Sequence, residues 1–130
     1  MNSFTDLLAW QVGFALVKEV YRLTEQFPKS EQFGLTSQLR RASVSILANL
    51  AEGFSRRTGA DKAHKYTISR GECSETHALL LVSCGLGRLT VSESAQAIAF
   101  AEKAGRLISG LIHKHMSASP TPYTLHPTPQ

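Results

Sequence analysis

The sequence is poor in residues that cross-link, break or punctuate a chain. It has two cysteines, one tryptophan and five prolines in 130 residues. Cys73 and Cys84 stand 11 positions apart in one predicted helix, about 16 Å along its axis, too far for an intrachain disulfide. They read as free, buried thiols of a reduced compartment. Apart from Pro28, every proline lies in the last fourteen residues, so from Lys29 to Ser119 no proline interrupts a helix. No apolar run approaches the roughly 20 residues of a membrane span. No basic stretch followed by an apolar one opens the chain, so no signal peptide is expected and the expected location is the cytoplasm. Strand-like alternation is also missing, which leaves helices as the material of the fold.

What is there is helical periodicity. Residues 35–57 organise the rest. Leu35, Leu39, Ala42, Ile46, Leu50 and Gly53 fall on one side of a helix, a core stripe. Val44, Leu47, Ala48 and Ala51 fall on nearly the opposite side. A surface helix of a monomer needs one apolar face, so these four are candidate oligomer-interface residues. Upstream, Leu7, Trp10, Phe14, Val17, Tyr21 and Thr24 form a heptad seam, and Trp10, Phe14 and Tyr21 are expected in the core. Downstream, Ile68, Glu72, Glu75, Leu79, Val82, Leu86 and Leu89 keep seam spacing with two carboxylates in it. A buried carboxylate needs a cation, and a Glu75–Arg41 ion pair is expected across the bundle. Thr58 with Asp61, and Thr90 with Glu93, resemble capping boxes. The last helix carries Ile98, Ala101, Gly105, Ile108 and Ile112 on one stripe, with Ala97, Phe100, Ala104, Leu107 and Leu111 beside it. The expected helices are 4–27, 35–55, 60–86 and 91–115, in one domain of residues 1–116. Residues 117–130 are expected to be a Pro-rich flexible tail. Four helices with short connections predict an all-α, antiparallel up-down-up-down four-helix bundle.

The net charge is +4, and its placement is uneven. Residues 40–70 hold seven basic and two acidic side chains, or +5, while the remainder hold seven and eight, or −1. Arg40, Arg56, Arg57, Lys62, Lys65 and Arg70 are therefore candidate phosphate contacts for a nucleic acid, positioning it without reading its sequence. A solvated, partly ion-paired face is the plainer reading of the same residues. No catalytic pattern stands out in the sequence. His113 and His115 point to different sides of a helix. Cys73 and His77 share a face, but lack the paired second set that a bundle di-metal site uses. No serine is grouped with a base and an orienting acid. The chain is expected to be no enzyme and to need no metal or cofactor.

One long block carries a resemblance: Glu31-x-Phe33-Gly34-Leu35-Thr36-x-Gln38-Leu39-Arg40-Arg41-Ala42-x-Val44-Ser45-Ile46, then Asn49-x-Ala51-Glu52-Gly53. Leu7-x-x-Trp10-Gln11, Val20-Tyr21, Phe27-Pro28, Arg70-Gly71, Glu75 and Leu80 extend it. In these residues the chain resembles the four-helix bundle proteins named for the 23S rRNA intervening sequence. Those in turn resemble the accessory variability protein of diversity-generating retroelements. The resemblance implies a ring-like homopentamer without catalytic residues. It implies nucleic-acid binding through basic surface, with a reverse transcriptase as partner in the retroelement branch. Many relatives carry proline at the position of Leu47, so leucine here implies a straighter second helix.

Overall fold

A computed structural model describes residues 1–117. The expected Pro-rich tail thus lies, Ser117 apart, outside the described residues. The elements are α1 (Leu8–Thr24), α2 (Leu35–Ser55), α3 (Gly59–Gly85) and α4 (Val91–Ser117), with short 3₁₀ turns at Phe4–Asp6 and Lys29–Glu31. No strand occurs among the described residues.

The ends of the helices follow from local chemistry. Ser3 accepts from the Thr5 amide at 3.2 Å and Asp6 accepts from the Ser3 amide at 3.2 Å. This capping box closes a separate first turn, and Leu7 stays extended before α1 begins. Thr58 caps α3 through the Asp61 amide at 3.1 Å. Thr90 and Glu93 bond each other's amides at 3.0 and 2.8 Å, the reciprocal pattern of a full capping box. Gly87 adopts φ +76°, and the Arg88 amide returns to the Ser83 carbonyl at 2.8 Å. That left-handed turn ends α3 and satisfies a terminal carbonyl. α2 runs unbroken through Leu47.

Each helix packs against its successor. Arg41 of α2 meets Glu75 of α3, Ile46 meets Ser69, and Gly53 meets Tyr66. Cys73 of α3 meets Ala101 of α4, and Tyr66 meets His115. Thr24 of α1 meets Arg40 of α2, and Gly13 meets Leu47. α1 also packs on α4, which closes the four helices around one core.

The α2 stripe from Leu35 to Gly53 is buried throughout. The stripes read for α1 and α3 are rotated from those observed. In α1 the core is Ala9, Val12, Leu16, Val20 and Leu23, and Leu7, Val17 and Thr24 of the expected seam are buried with them, whereas Phe14 and Tyr21 are each 42% exposed and Trp10 is half-buried. The reason is helix separation. A Cβ on Gly13 would stand 3.0 Å from the Leu47 side chain, so α1 lies close to α2 and its narrow residues take the centre. The wide rings are left at the rim. In α3 the core stripe is Ala63, Tyr66, Ser69, Cys73, Thr76, Leu80 and Ser83. Ile68, Val82 and Leu86 face solvent, and Glu72 and Glu75 sit on the flank. Ser69 donates to the Ile46 carbonyl at 2.8 Å, Thr76 to Glu72 at 2.9 Å and Ser83 to Leu79 at 2.8 Å. A buried hydroxyl that finds a backbone acceptor costs little, so these small residues serve as core. In α4 the buried line, Ala97, Ala101, Ala104, Ile108 and Ile112, draws on both expected stripes.

Candidate nucleic-acid interface and assembly face

The basic residues are divided by the fold. α2 ends and α3 begins at the same end of the bundle, so Arg56, Arg57, Lys62 and Lys65 come together there. Arg56 and Arg57 are exposed in the turn. Lys65 bonds Glu52 at 2.9 Å, and Arg56 approaches the same carboxylate at 3.8 Å. The Lys65 ammonium holds the Glu52 carboxyl below its usual range, first through that hydrogen bond and then through charge. The Lys62 ammonium donates to the Phe54 carbonyl at 2.7 Å and lies 5.5 Å from the Phe54 ring centre.

Arg40 does not join this cluster. It sits sixteen residues before Arg56 on α2, about 24 Å away along the helix. Its guanidinium bonds the Thr24 hydroxyl at 2.9 Å and Glu25 at 3.3 Å and covers the Tyr21 ring at 4.5 Å. Those contacts make it a strut between α1 and α2. Arg70 lies apart too, in a shallow groove between α3 and α4 that Ser74, Gly105, Arg106 and Ser109 also line. Its guanidinium approaches the Ser109 hydroxyl at 3.5 Å.

The fold adds residues to the basic end that the linear reading missed. Lys114 and His115 lie in the last turn of α4 beside the start of α3, and the His115 ring lies against Tyr66, tilted by 45°, with ring centres 5.7 Å apart. Burial and the charges on Lys114 and Lys62 push the His115 imidazole below its ordinary pKa. Charge counted along the sequence separates residues 62 and 114. The packing of α3 against α4 joins them.

A second surface covers α1 and α2. Val44 is 43% exposed, Ala48 is exposed, and Leu47 and Ala51 are half-buried. Leu47 packs toward Gly13 of α1, where an added Cβ would stand 3.0 Å from its Cδ2. The rings that α1 leaves at its rim pack on one another: Trp10 packs edge-on to Phe4 at 5.5 Å and against Phe14 at 5.4 Å. Lys18 caps Phe14 at 4.9 Å. The result is an apolar face with cations on two of its rings. Arg41 bonds Glu75 at 2.6 Å and stands 3.5 Å from Glu72, whose Oε1 is buried without a hydrogen bond. Cys73 is buried and donates to the Ala101 carbonyl at 3.2 Å, and burial pushes its thiol up to about 11. No group of three metal-ligating side chains occurs among the described residues, and no helix among them is long and apolar enough to cross a membrane.

Fold and surface together define a four-helix protein with one basic end and one uncovered apolar face. Residues 5–110 match the family of the 23S rRNA-intervening sequence protein. The chain belongs to that family. Among solved structures it is similar to a protein of unknown function from the S23 ribosomal protein family of Bacteroides thetaiotaomicron, determined at 1.70 Å. The likeness has a TM-score of 0.72 at 18% identity and covers 81% of this chain and 98% of that one. At that identity it speaks for the fold alone. A search of curated proteins gives no match.

Proposed function

We propose that this protein is a non-enzymatic, cytoplasmic, antiparallel four-helix bundle. It assembles through its α1–α2 face into a ring-like homopentamer and binds nucleic acid through phosphate contacts. The observation that carries the reading is the gathering of Arg56, Arg57, Lys62 and Lys65 at one end of the bundle. Five chains of net charge +4 carry +20, and a symmetric ring would focus that field. Few rings stand among these cations, so stacking contributes less than charge. In the cell such a particle would serve as an accessory to a reverse transcriptase or act beside the rRNA insertion its family is named for. Filter binding against salt tests the reading. Four phosphate contacts on a single strand give a log–log slope of roughly −3. No retention at any salt would overturn it.

The apolar face favours a second reading, a protein-interaction scaffold without nucleic-acid binding. Retention of nucleic acid at low salt that fades as salt rises excludes it.

A further inference from the structure

A cleft of about 270 Å³ lies at the basic end, lined by Met1, Leu7, Phe54, Lys62, Tyr66, Leu111, Lys114 and His115. All four helical regions reach it, from Leu7 just before α1 to His115 near the end of α4. Among the described residues its lining has cations and no carboxylate. Its walls at Leu7, Phe54 and Leu111 are apolar. Lys62 is held in place by the Phe54 carbonyl at 2.7 Å, which occupies one of the three donors of an ammonium and leaves two. Tyr66 is 1% exposed and lines the cleft, where its hydroxyl offers one hydrogen-bond donor.

We propose that this cleft binds a terminal phosphate monoester, with Lys62, Tyr66 and His115 as donors to its oxygens and the Leu7–Leu111 walls against the attached sugar. A monoester is close to a dianion at neutral pH and offers three strong acceptor oxygens. A phosphate within a strand has a neighbour on each side, and a cleft at the end of a bundle suits an end group better. The volume admits the phosphate and part of its sugar, at the small end of ligand sites. His115 fits the same role: burial first, then the charges on Lys114 and Lys62, disfavour its proton, and a bound dianion offsets the two charges. Two sources share the chemistry, a free nucleoside monophosphate and the phosphorylated end of a nucleic acid. Only the second rests on the nucleic-acid reading above.

The test uses the full chain and three probes: adenosine 5′-monophosphate, a 12-nucleotide RNA with a 5′-phosphate, and the same RNA with a 5′-hydroxyl. The phosphorylated RNA is expected to bind roughly tenfold more tightly than its hydroxyl counterpart, the scale of one or two charge-assisted hydrogen bonds. Tyr66→Phe keeps the ring and the fold. It should cut that preference several-fold and leave binding of the hydroxyl RNA unchanged. His115→Gln checks the second donor by the same ratio. Amide shifts at Lys62 and Tyr66 on adding adenosine 5′-monophosphate alone assign the cleft to free monophosphates. Shifts with the phosphorylated RNA only assign it to a strand end. Equal affinity for the two RNAs together with no shifts from the mononucleotide overturns the proposal, and leaves salt-dependent binding by Arg56 and Arg57 to stand or fall separately.

Discussion

At the scale of single residues, two glycines in neighbouring helices should respond oppositely to alanine. A Cβ on Gly53 would meet the Tyr66 ring at 2.6 and 2.8 Å and Lys65 Cβ at 3.1 Å. Tyr66 is 1% exposed, so its ring can give way only by disturbing the packing around it. Gly53→Ala should cost about 1–3 kcal/mol, the range for overpacking. Gly71 lies within α3, exposed, with nothing within 4 Å of its added Cβ. Gly71→Ala should stabilise by about 0.5–1 kcal/mol through helix propensity. Thermal melting separates the two, at roughly 4 °C per kcal/mol for a chain of this size. Titration adds a pH effect. His115 has a folded pKa below its unfolded one, so the folded state binds fewer protons between the two values. Its contribution is fully present above the unfolded pKa, near 6.5, and is lost as pH falls through the folded one. Glu19, Glu31 and Glu52 are also depressed and lose their contribution at lower pH, below the ordinary carboxylate range. Melting temperature should therefore decline in two stages on acidification, and His115→Gln should remove the first.

At the scale of helices, the sequence could be read where one chemical type fills one face. The α2 stripe is all apolar or glycine, and its line from Leu35 to Gly53 is the buried one. In α1 two stripes of equal periodicity lie side by side, one of rings and one of narrow aliphatics. Periodicity cannot rank them. The spacing between helices does, and that depends on Gly13 and Leu47 from different elements. In α3 the template counted apolar residues only and passed over Ser69, Thr76 and Ser83, whose hydroxyls are satisfied by carbonyls. Arg41 and Glu75 were legible as partners because each is a charge beside a core stripe. Their pair is half-exposed, so Glu75→Gln should cost no more than about 1 kcal/mol, and an unchanged melt would assign the pair no stabilising role. The misplaced rings sharpen the assembly prediction. Val44 and Phe14 are both over 40% exposed, so Val44→Glu or Phe14→Glu removes no core contact. Light scattering should give about 71 kDa for five chains of 14.2 kDa, and either variant should lower that mass while helicity by circular dichroism is retained. A wild-type mass of one chain would reject the face as a self-interface.

At the scale of the whole molecule, the fold turns a charged segment of sequence into a charged end. Residues 40–70 carry the entire excess, yet α2 is long enough to hold Arg40 near its start and Arg56 past its end. The consequence is a division of labour among arginines that are alike in the sequence. Arg40 is tied to Thr24, Glu25 and Tyr21, and Arg40→Gln should lower the melting temperature while nucleic-acid affinity stays within about twofold. Arg57 is exposed and makes no ion pair among the described residues. Arg56 has only a 3.8 Å approach to a carboxylate that Lys65 already holds. Arg56→Gln with Arg57→Gln should leave the melt unchanged and flatten the slope of affinity against salt by roughly 1.4, the release of two counterions on a single strand. In a ring each loss recurs in every subunit that touches the strand, so the slope change scales with the number of subunits engaged. A double variant that keeps the wild-type slope would remove the turn between α2 and α3 from the interface. If Arg40→Gln instead flattened it, the binding surface would lie along α1 and α2, in competition with the apolar face.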